Sequence, residues 1–280
     1  VHALVSTSEL ADLLGDSRPP VLLDVRWALG GPPGRESYMA GHLPGAVFLD
    51  LDADLAAAPG ERGRHPLPEP DDLREVLRSA GVNGTDAVVV YDDGNGSVAA
   101  RAWWLLRWIG HSNVAVLDGG YSAWQQEQRP VTTEVPQPQR GDLEIRPGSM
   151  PTVDADGAAA LARSGVLLDA RVPERYRGET EPVDPRAGHI PGAVNAPFTG
   201  HTSQDGRWLP AAELAERFRS LGVHDPSAVG AYCGSGVTAS SVVLALEVAG
   251  VTDPARPAVL YPGSWSEWSR DPQRPAETGP

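Results

Sequence analysis

The sequence predicts an α/β protein made of two tandem copies of one domain, each a mainly parallel sheet flanked by helices. Three observations carry this expectation: a long internal duplication, short apolar runs that read as buried strands, and helical spacing between those runs. Leu22-Leu23-Asp24-Val25-Arg26 returns as Leu167-Leu168-Asp169-Ala170-Arg171. Gly41-His42-Leu43-Pro44-Gly45-Ala46-Val47 returns as Gly188-His189-Ile190-Pro191-Gly192-Ala193-Val194. Residues 87–91 answer 228–232, and the block ending at Trp124 answers the block ending at Trp268. Four blocks in one order at a spacing of roughly 145 residues mark a tandem duplication, since solenoid repeats run about 20–50 residues.

The elements follow in order. Residues 21–25, 87–91 and 114–117 of the first copy, and 166–170, 228–232 and 258–261 of the second, are short apolar runs rich in Val, Leu and Ala. Near-continuous apolar character over four or five residues is what a parallel strand covered on both faces requires. Between them, residues 71–80 and 211–221 place Leu, Val, Phe and Ala at helical spacing, and 99–109 and 239–248 follow loops that leave a strand. Strands alternating with helices give parallel layers. Residues 128–151 carry five prolines and no period, so the domains are drawn as 1–128 and 152–280 with a linker at 129–151. The tail 271–280 is polar and Pro-rich and is expected to be disordered or draped on the surface.

Composition removes several classes. The chain has 280 residues, 37 acidic and 23 basic, for a net charge of −14, and its basic residues are all arginine. Nucleic acid and anionic membrane surfaces are therefore excluded as general partners, and a small anionic substrate needs a local positive site. A single cysteine forbids an intrachain disulfide, and no signal-like or membrane-length apolar run appears, so a cytoplasmic protein is expected. Seven scattered histidines and one cysteine offer no ligand spacing, so neither metal nor cofactor is expected.

The cysteine is the informative residue. Cys233 lies in Tyr232-Cys233-Gly234-Ser235-Gly236-Val237-Thr238, between an apolar strand and a helical run. Backbone N–H groups and the positive end of a helix dipole stabilise a thiolate there, and the thiolate is the nucleophile. The glycines allow a tight loop and close approach of a ligand to the backbone. A cysteine phosphatase would use a similar loop but needs an arginine at its far end to grip phosphate; that place is Ala239, and the next arginine is Arg256.

Duplicated Asp-x-Arg and Gly-His-x-Pro-Gly-Ala blocks with one cysteine loop in the second copy resemble the two-domain rhodanese family of sulfurtransferases, over about residues 6–270. Within it, Cys-Gly-Ser-Gly-Val-Thr resembles the loop of 3-mercaptopyruvate sulfurtransferases; thiosulfate-preferring members carry charged residues where Gly234 and Ser235 stand. The resemblance implies a Cys233 persulfide, with Gly234, Gly236, Val237 and Thr238 cradling the sulfur. It implies that Ser235 works with an acid and His65 from the first domain; Asp52 and Asp50 both remain open as that acid. It implies that Arg177 and Arg186 orient the donor carboxylate, as planar forks suited to two parallel bonds. The expected partners are a small anionic sulfur donor and a thiol acceptor such as thioredoxin or a small thiol, with cyanide as the other acceptor. Thiosulfate is the alternative donor, and a non-catalytic binding module is the remote alternative, opposed by Cys233.

The remaining motifs read as structural. Asp24 with Arg26, Asp169 with Arg171, and His42 and His189 occur in both copies, including the one without cysteine. Asp92 stands where Cys233 stands, so the first copy is expected to be silent. Trp265 and Trp268 are expected in a loop after Pro262-Gly263, either packed or at the mouth of the site.

Overall fold

A computed structural model describes residues 2–28 and 30–280. The chain divides into two compact units: Val1–Ala57, Pro68–Ser149 and Thr202–Trp208 in the first, and Ala58–Leu67, Met150–His201 and Leu209–Pro280 in the second.

The first unit contains, in order, β1 (Leu4–Val5), α1 (Thr7–Leu14), β2 (Val21–Asp24), α2 (Gly34–Ala40), β3 (Val47–Phe48), α3 (Pro70–Ser79), β4 (Val88–Tyr91), α4 (Ala99–Trp108), β5 (Val114–Leu117) and α5 (Gly120–Gln126). Among the described residues its sheet has five parallel strands in the order β1-β5-β4-β2-β3. All four residues of β4 and of β5 are buried, as their unbroken apolar runs require. Helix α1 begins with a capping box in which Ser6 and Glu9 satisfy each other's backbone N–H groups. Helix α3 opens with Pro70 followed by Asp71 and Asp72 and closes with Arg78, matching the sign of the helix dipole at both ends. Helix α4 is buried from Ala99 to Arg107, and its Trp103 and Trp104 are fully inside. Each large apolar side chain so placed contributes about 1.5–3 kcal/mol.

The second unit repeats the plan with α6 (Ala155–Ser164), β6 (Val166–Asp169), α7 (Pro173–Tyr176), β7 (Val194–Asn195), α8 (Ala211–Ser220), β8 (Val229–Tyr232), α9 (Ala239–Val248), β9 (Val259–Leu260) and α10 (Ser264–Trp268). Its parallel strands run β7-β6-β8-β9. A single parallel bridge from Thr152 to Leu260 stands where β1 pairs with β5 in the first unit. The duplication is therefore visible in strand order as well as in residues.

The paired motifs hold equivalent joints. Arg26 Nε and Nη2 donate to Asp24, and Nη2 also reaches Gly41 O at 2.7 Å. Arg171 does the same to Asp169 and to Gly188 O, again at 2.7 Å. His42 stacks on Tyr38 and His189 on Tyr176, each with ring centroids 3.8 Å apart.

Three segments lie differently from their sequence reading, and a fourth, the tail, follows one of its two expected courses. Residues up to Ser149 of the expected linker pack on the first unit: Gly141 N–H bonds Arg78 O at 2.8 Å, Arg78 Nε bonds Leu143 O at 2.8 Å, and Leu143 is buried. Proline denies this stretch a helix or strand, and backbone bonds to existing elements take their place. The tail takes the second of its two expected courses and is draped on the second unit, where Glu277 and His189 exchange backbone bonds and Gly279 N–H bonds Arg177 O at 3.0 Å. Trp265 and Trp268 lie in helix α10, not in a loop, and pack into the second core with Tyr232 and Tyr261. Residues 58–67, next to the first copy in sequence, form a strap on the second unit.

Candidate active site

Strand β8 delivers Cys233 and helix α9 receives the chain, with Cys233 through Thr238 between them. Cys233 is buried. The N–H groups of Ser235 and Gly236 point at its Sγ from 3.4 and 3.1 Å. The loop turns back on itself because Gly236 takes φ +81°, and a Cβ there would stand 2.5 Å from Pro262 O. Alanine at 236 is excluded on both counts.

Helix α10 braces the loop from behind. Trp265 N–H bonds Cys233 O at 2.9 Å and Ser266 N–H bonds Gly234 O at 2.8 Å. Ser264 accepts the Cys233 N–H on its hydroxyl at 3.1 Å and donates to Tyr261 O at 2.9 Å. Ser264 holds φ +53°, a left-handed conformation disfavoured for a residue with a Cβ and maintained here by those two bonds.

The strap brings His65 to the loop. His65 Nδ1 and Ser235 Oγ are 2.7 Å apart, and both residues are buried. Sequence proximity assigns His65 to the first domain, but its compact unit is the second. Asp52 lies in the first unit and accepts a bond from Trp27 Nε1 at 3.1 Å. Asp50 closes its own turn, taking the N–H groups of Asp52 and Ala53 at 2.9 and 3.0 Å.

The two arginines singled out from sequence are engaged elsewhere. Arg186 donates to four main-chain oxygens, those of Trp268, Ser269, Asp271 and Arg274, at 2.8–3.1 Å, tying the tail to the end of α10. A guanidinium with its N–H groups shared among four carbonyls has no fork left for a carboxylate. Arg177 follows α7 on the surface and pairs with Glu179 at 2.7 Å; that hydrogen bond holds the Glu179 carboxyl below its ordinary range.

Two other arginines stand at the cysteine loop. A methyl group placed on Gly234 would be 2.8 Å from Arg64 Nη2 and 3.4 Å from Arg175 Nη1. Arg175 is held by Glu181 at 2.6 Å and Asp184 at 3.0 Å, and Arg64 also pairs with Asp184. Both acids are buried, and burial pushes the Asp184 carboxyl up even as Arg64 pulls it down. The sequence signal for this cluster was present: Arg175 opens the same Arg-Tyr-Arg triplet as Arg177, and Arg64 immediately precedes His65. The turn of α7 decides between the triplet's two arginines, sending Arg175 inward and Arg177 to the surface.

The rhodanese-like domain model matches residues 6–127 and 154–271. The chain belongs to the rhodanese family. A Mycobacterium tuberculosis protein provisionally named thiosulfate sulfurtransferase SseB is 44% identical over 99% of this chain and 98% of its own length. A Pseudomonas aeruginosa protein provisionally named 3-mercaptopyruvate sulfurtransferase is 46% identical over 99% and 98%. The crystal structure of SseA from Escherichia coli, described as a 3-mercaptopyruvate sulfotransferase of rhodanese fold, superposes with TM-score 0.82 at 32% identity, covering 95% of this chain and all of that one. Two rhodanese domains with one cysteine, in a chain related over its full length to named sulfurtransferases, make this protein a sulfurtransferase. None of its described helices is long and apolar enough to cross a membrane.

Proposed function

We propose that this rhodanese-family enzyme takes sulfur from 3-mercaptopyruvate and passes it to a thiol through a persulfide on Cys233. The observation that carries the reading is Cys233 Sγ facing two backbone N–H groups while the neighbouring Ser235 meets His65 at 2.7 Å. Nucleophile, anion-stabilising donors and a proton-handling pair then meet at one loop.

In the first half-reaction the Cys233 thiolate attacks the donor thiol sulfur. The carbon–sulfur bond breaks, and its electron pair moves onto the carbon as an enolate delocalised into the ketone. The proton from the donor sulfur reaches that carbon through Ser235 and His65, giving pyruvate and a Cys233 persulfide anion. The loop N–H groups of residues 235–238 stabilise the outer sulfur. In the second half, an acceptor thiolate attacks the outer sulfur and Cys233 leaves as a thiolate. A small thiol or a thioredoxin-like dithiol meets that requirement, and two half-reactions sharing one site give ping-pong kinetics.

Arg175 supplies the charge for the donor carboxylate, since its Nη1 faces Gly234 while its other N–H groups are fixed by Glu181 and Asp184. Thiosulfate is the second reading, favoured by the name of the M. tuberculosis relative. Comparing kcat/KM for the two donors decides between them: we expect 3-mercaptopyruvate to lead by tenfold or more, and a lead of that size for thiosulfate overturns the donor assignment. Intact mass after exposure to donor alone should show one added, reducible sulfur atom; an unmodified Cys233 overturns the persulfide.

A further inference from the structure

We propose that Arg64 is the second arm of the donor-binding fork and sets the preference for a carboxylate-bearing donor. The inference deepens the reading above and rests on 3-mercaptopyruvate as the donor.

Arg64 is built into place from both ends. Its backbone N–H bonds Ser266 Oγ at 3.0 Å, and that hydroxyl donates to Gly263 O at 3.0 Å, so the strap is anchored on the helix that braces the cysteine loop. Its side chain is fixed through Nη1 by Asp184, whose other oxygen accepts from Arg175 Nη2 at 3.0 Å. One buried carboxylate therefore joins two guanidinium groups and sets their spacing. Glu181 takes Nε and a second bond from Nη2 of Arg175, leaving Nη1 for the loop.

The open sides of both groups meet over Gly234: among the described residues Arg64 Nη2 and Arg175 Nη1 have no hydrogen-bond acceptor, and they lie 2.8 and 3.4 Å from where a Cβ would be. Two converging N–H donors from different guanidinium groups match the two oxygens of a carboxylate. Gly234 directly follows Cys233, and successive Cα atoms are about 3.8 Å apart. A carboxylate over Gly234 thus puts a sulfur three carbons away within reach of Cys233 Sγ. The absence of a side chain at 234 lets the Arg64 guanidinium come this close to the cysteine loop, since a Cβ there would displace it. Because His65 is the next residue, gripping the anion also fixes the strap that holds His65 against Ser235.

The test is steady-state kinetics of Arg64→Met and Arg64→Lys with 3-mercaptopyruvate and with mercaptoacetone, which keeps the ketone and thiol and lacks the carboxylate. Arg64→Met should raise KM for 3-mercaptopyruvate about 10- to 100-fold, the range for losing a charged hydrogen-bond partner. The change for mercaptoacetone should be at least tenfold smaller, inhibition by pyruvate should weaken in parallel, and Arg64→Lys should recover part of the loss. Equal effects on both donors, or no effect on either, overturn the role of Arg64. Failure of the unaltered enzyme to use 3-mercaptopyruvate is a separate result: it removes the donor assignment on which the inference stands, before any variant is made.

Discussion

The loop after β4 and the loop after β8 descend from one ancestor, and they differ in what their backbone donors hold. In the first, the Asp92 carboxylate accepts four N–H bonds, from Gly94 and Gly96 at 3.0 Å, Val98 at 2.9 Å and Ala99 at 3.1 Å. In the second, the Cys233 sulfur takes two. Gly96 at φ +71° and Gly236 at φ +81° shape the same turn. Behind each loop sits another left-handed residue, Gly120 at φ +54° and Ser264 at φ +53°. A Cβ on Gly120 would lie 2.5 Å from Asp92 O, whereas Ser264 carries one and uses its hydroxyl to hold the Cys233 N–H. The loop after β4 is a donor-lined site filled by its own carboxyl group. The loop after β8 turns its donors on a cysteine sulfur instead, and a bonded serine braces it from behind.

The largest effect that could break this comparison is at the nucleophile. Cys233→Ser should lower transfer at least ~1000-fold with any donor. Adding Asp92→Cys to that variant should restore nothing, because Gly94, which has no hydroxyl, stands two residues after it where Ser235 follows Cys233. Recovered turnover, followed by pyruvate release, would make the two loops interchangeable.

Next comes the proton-handling pair. His65→Gln should cost about 100-fold in kcat, the usual scale for losing general acid–base help. Asn95→Ala in the first loop should leave kcat within twofold of the parent; comparable losses in both would mean that the loops act through a shared structural effect.

Stability reverses the ranking of the loops. Asp92→Ala leaves four loop N–H groups without their acceptor and should destabilise the protein by about 3 kcal/mol or more in denaturant titration. Cys233→Ala removes an acceptor of only two longer bonds and should cost about 1–2 kcal/mol. A larger loss at Cys233 would contradict the reading of Asp92 as the group that fills its own loop.

The smallest effect concerns how residues 202–208 are held on the first unit. Glu127 bonds the Thr7 hydroxyl and pairs with Arg129 and Arg207, and these contacts lower its carboxyl from 4.5 to about 2. The folded state therefore binds this proton less tightly than the unfolded chain. Its stabilisation is complete above pH 4.5 and is lost as pH falls toward about 2. At pH 7, Glu127→Gln should lower Tm by about 2 °C, as suits a mostly exposed ion pair. The gap between variant and parent should close on acidification; a gap that widens would show that the charge is not what holds the segment.

Much of this was legible in the sequence because parallel α/β layers impose local signatures. Strands β4, β5, β6 and β8 show as apolar runs, helices α3 and α8 as periodic ones, and α4 and α9 as the runs that follow a strand and its loop. The two-residue strands β3 and β7 are too short to carry a pattern, and their pairing comes from the neighbouring strand. Helix α10 follows Pro262-Gly263 and spans five residues, so local signals favour a loop; burial of Trp265 and Trp268 makes it a helix.

By itself the sequence determined the duplicated fold and the placing of its cysteine in a glycine-lined loop between strand and helix, since these depend on residue type and on neighbours in the chain. Tertiary structure decided which charged groups reach that loop. Arg177 and Arg186 look as suitable as Arg64 and Arg175 on paper, but one pairs at the surface and the other is bonded to four carbonyls, while a buried acid aims the second pair at Gly234. The physical reason is that a guanidinium's role depends on which acceptors surround it in space, and residues 120 positions apart, such as Arg64 and Asp184, become neighbours only when the chain is folded.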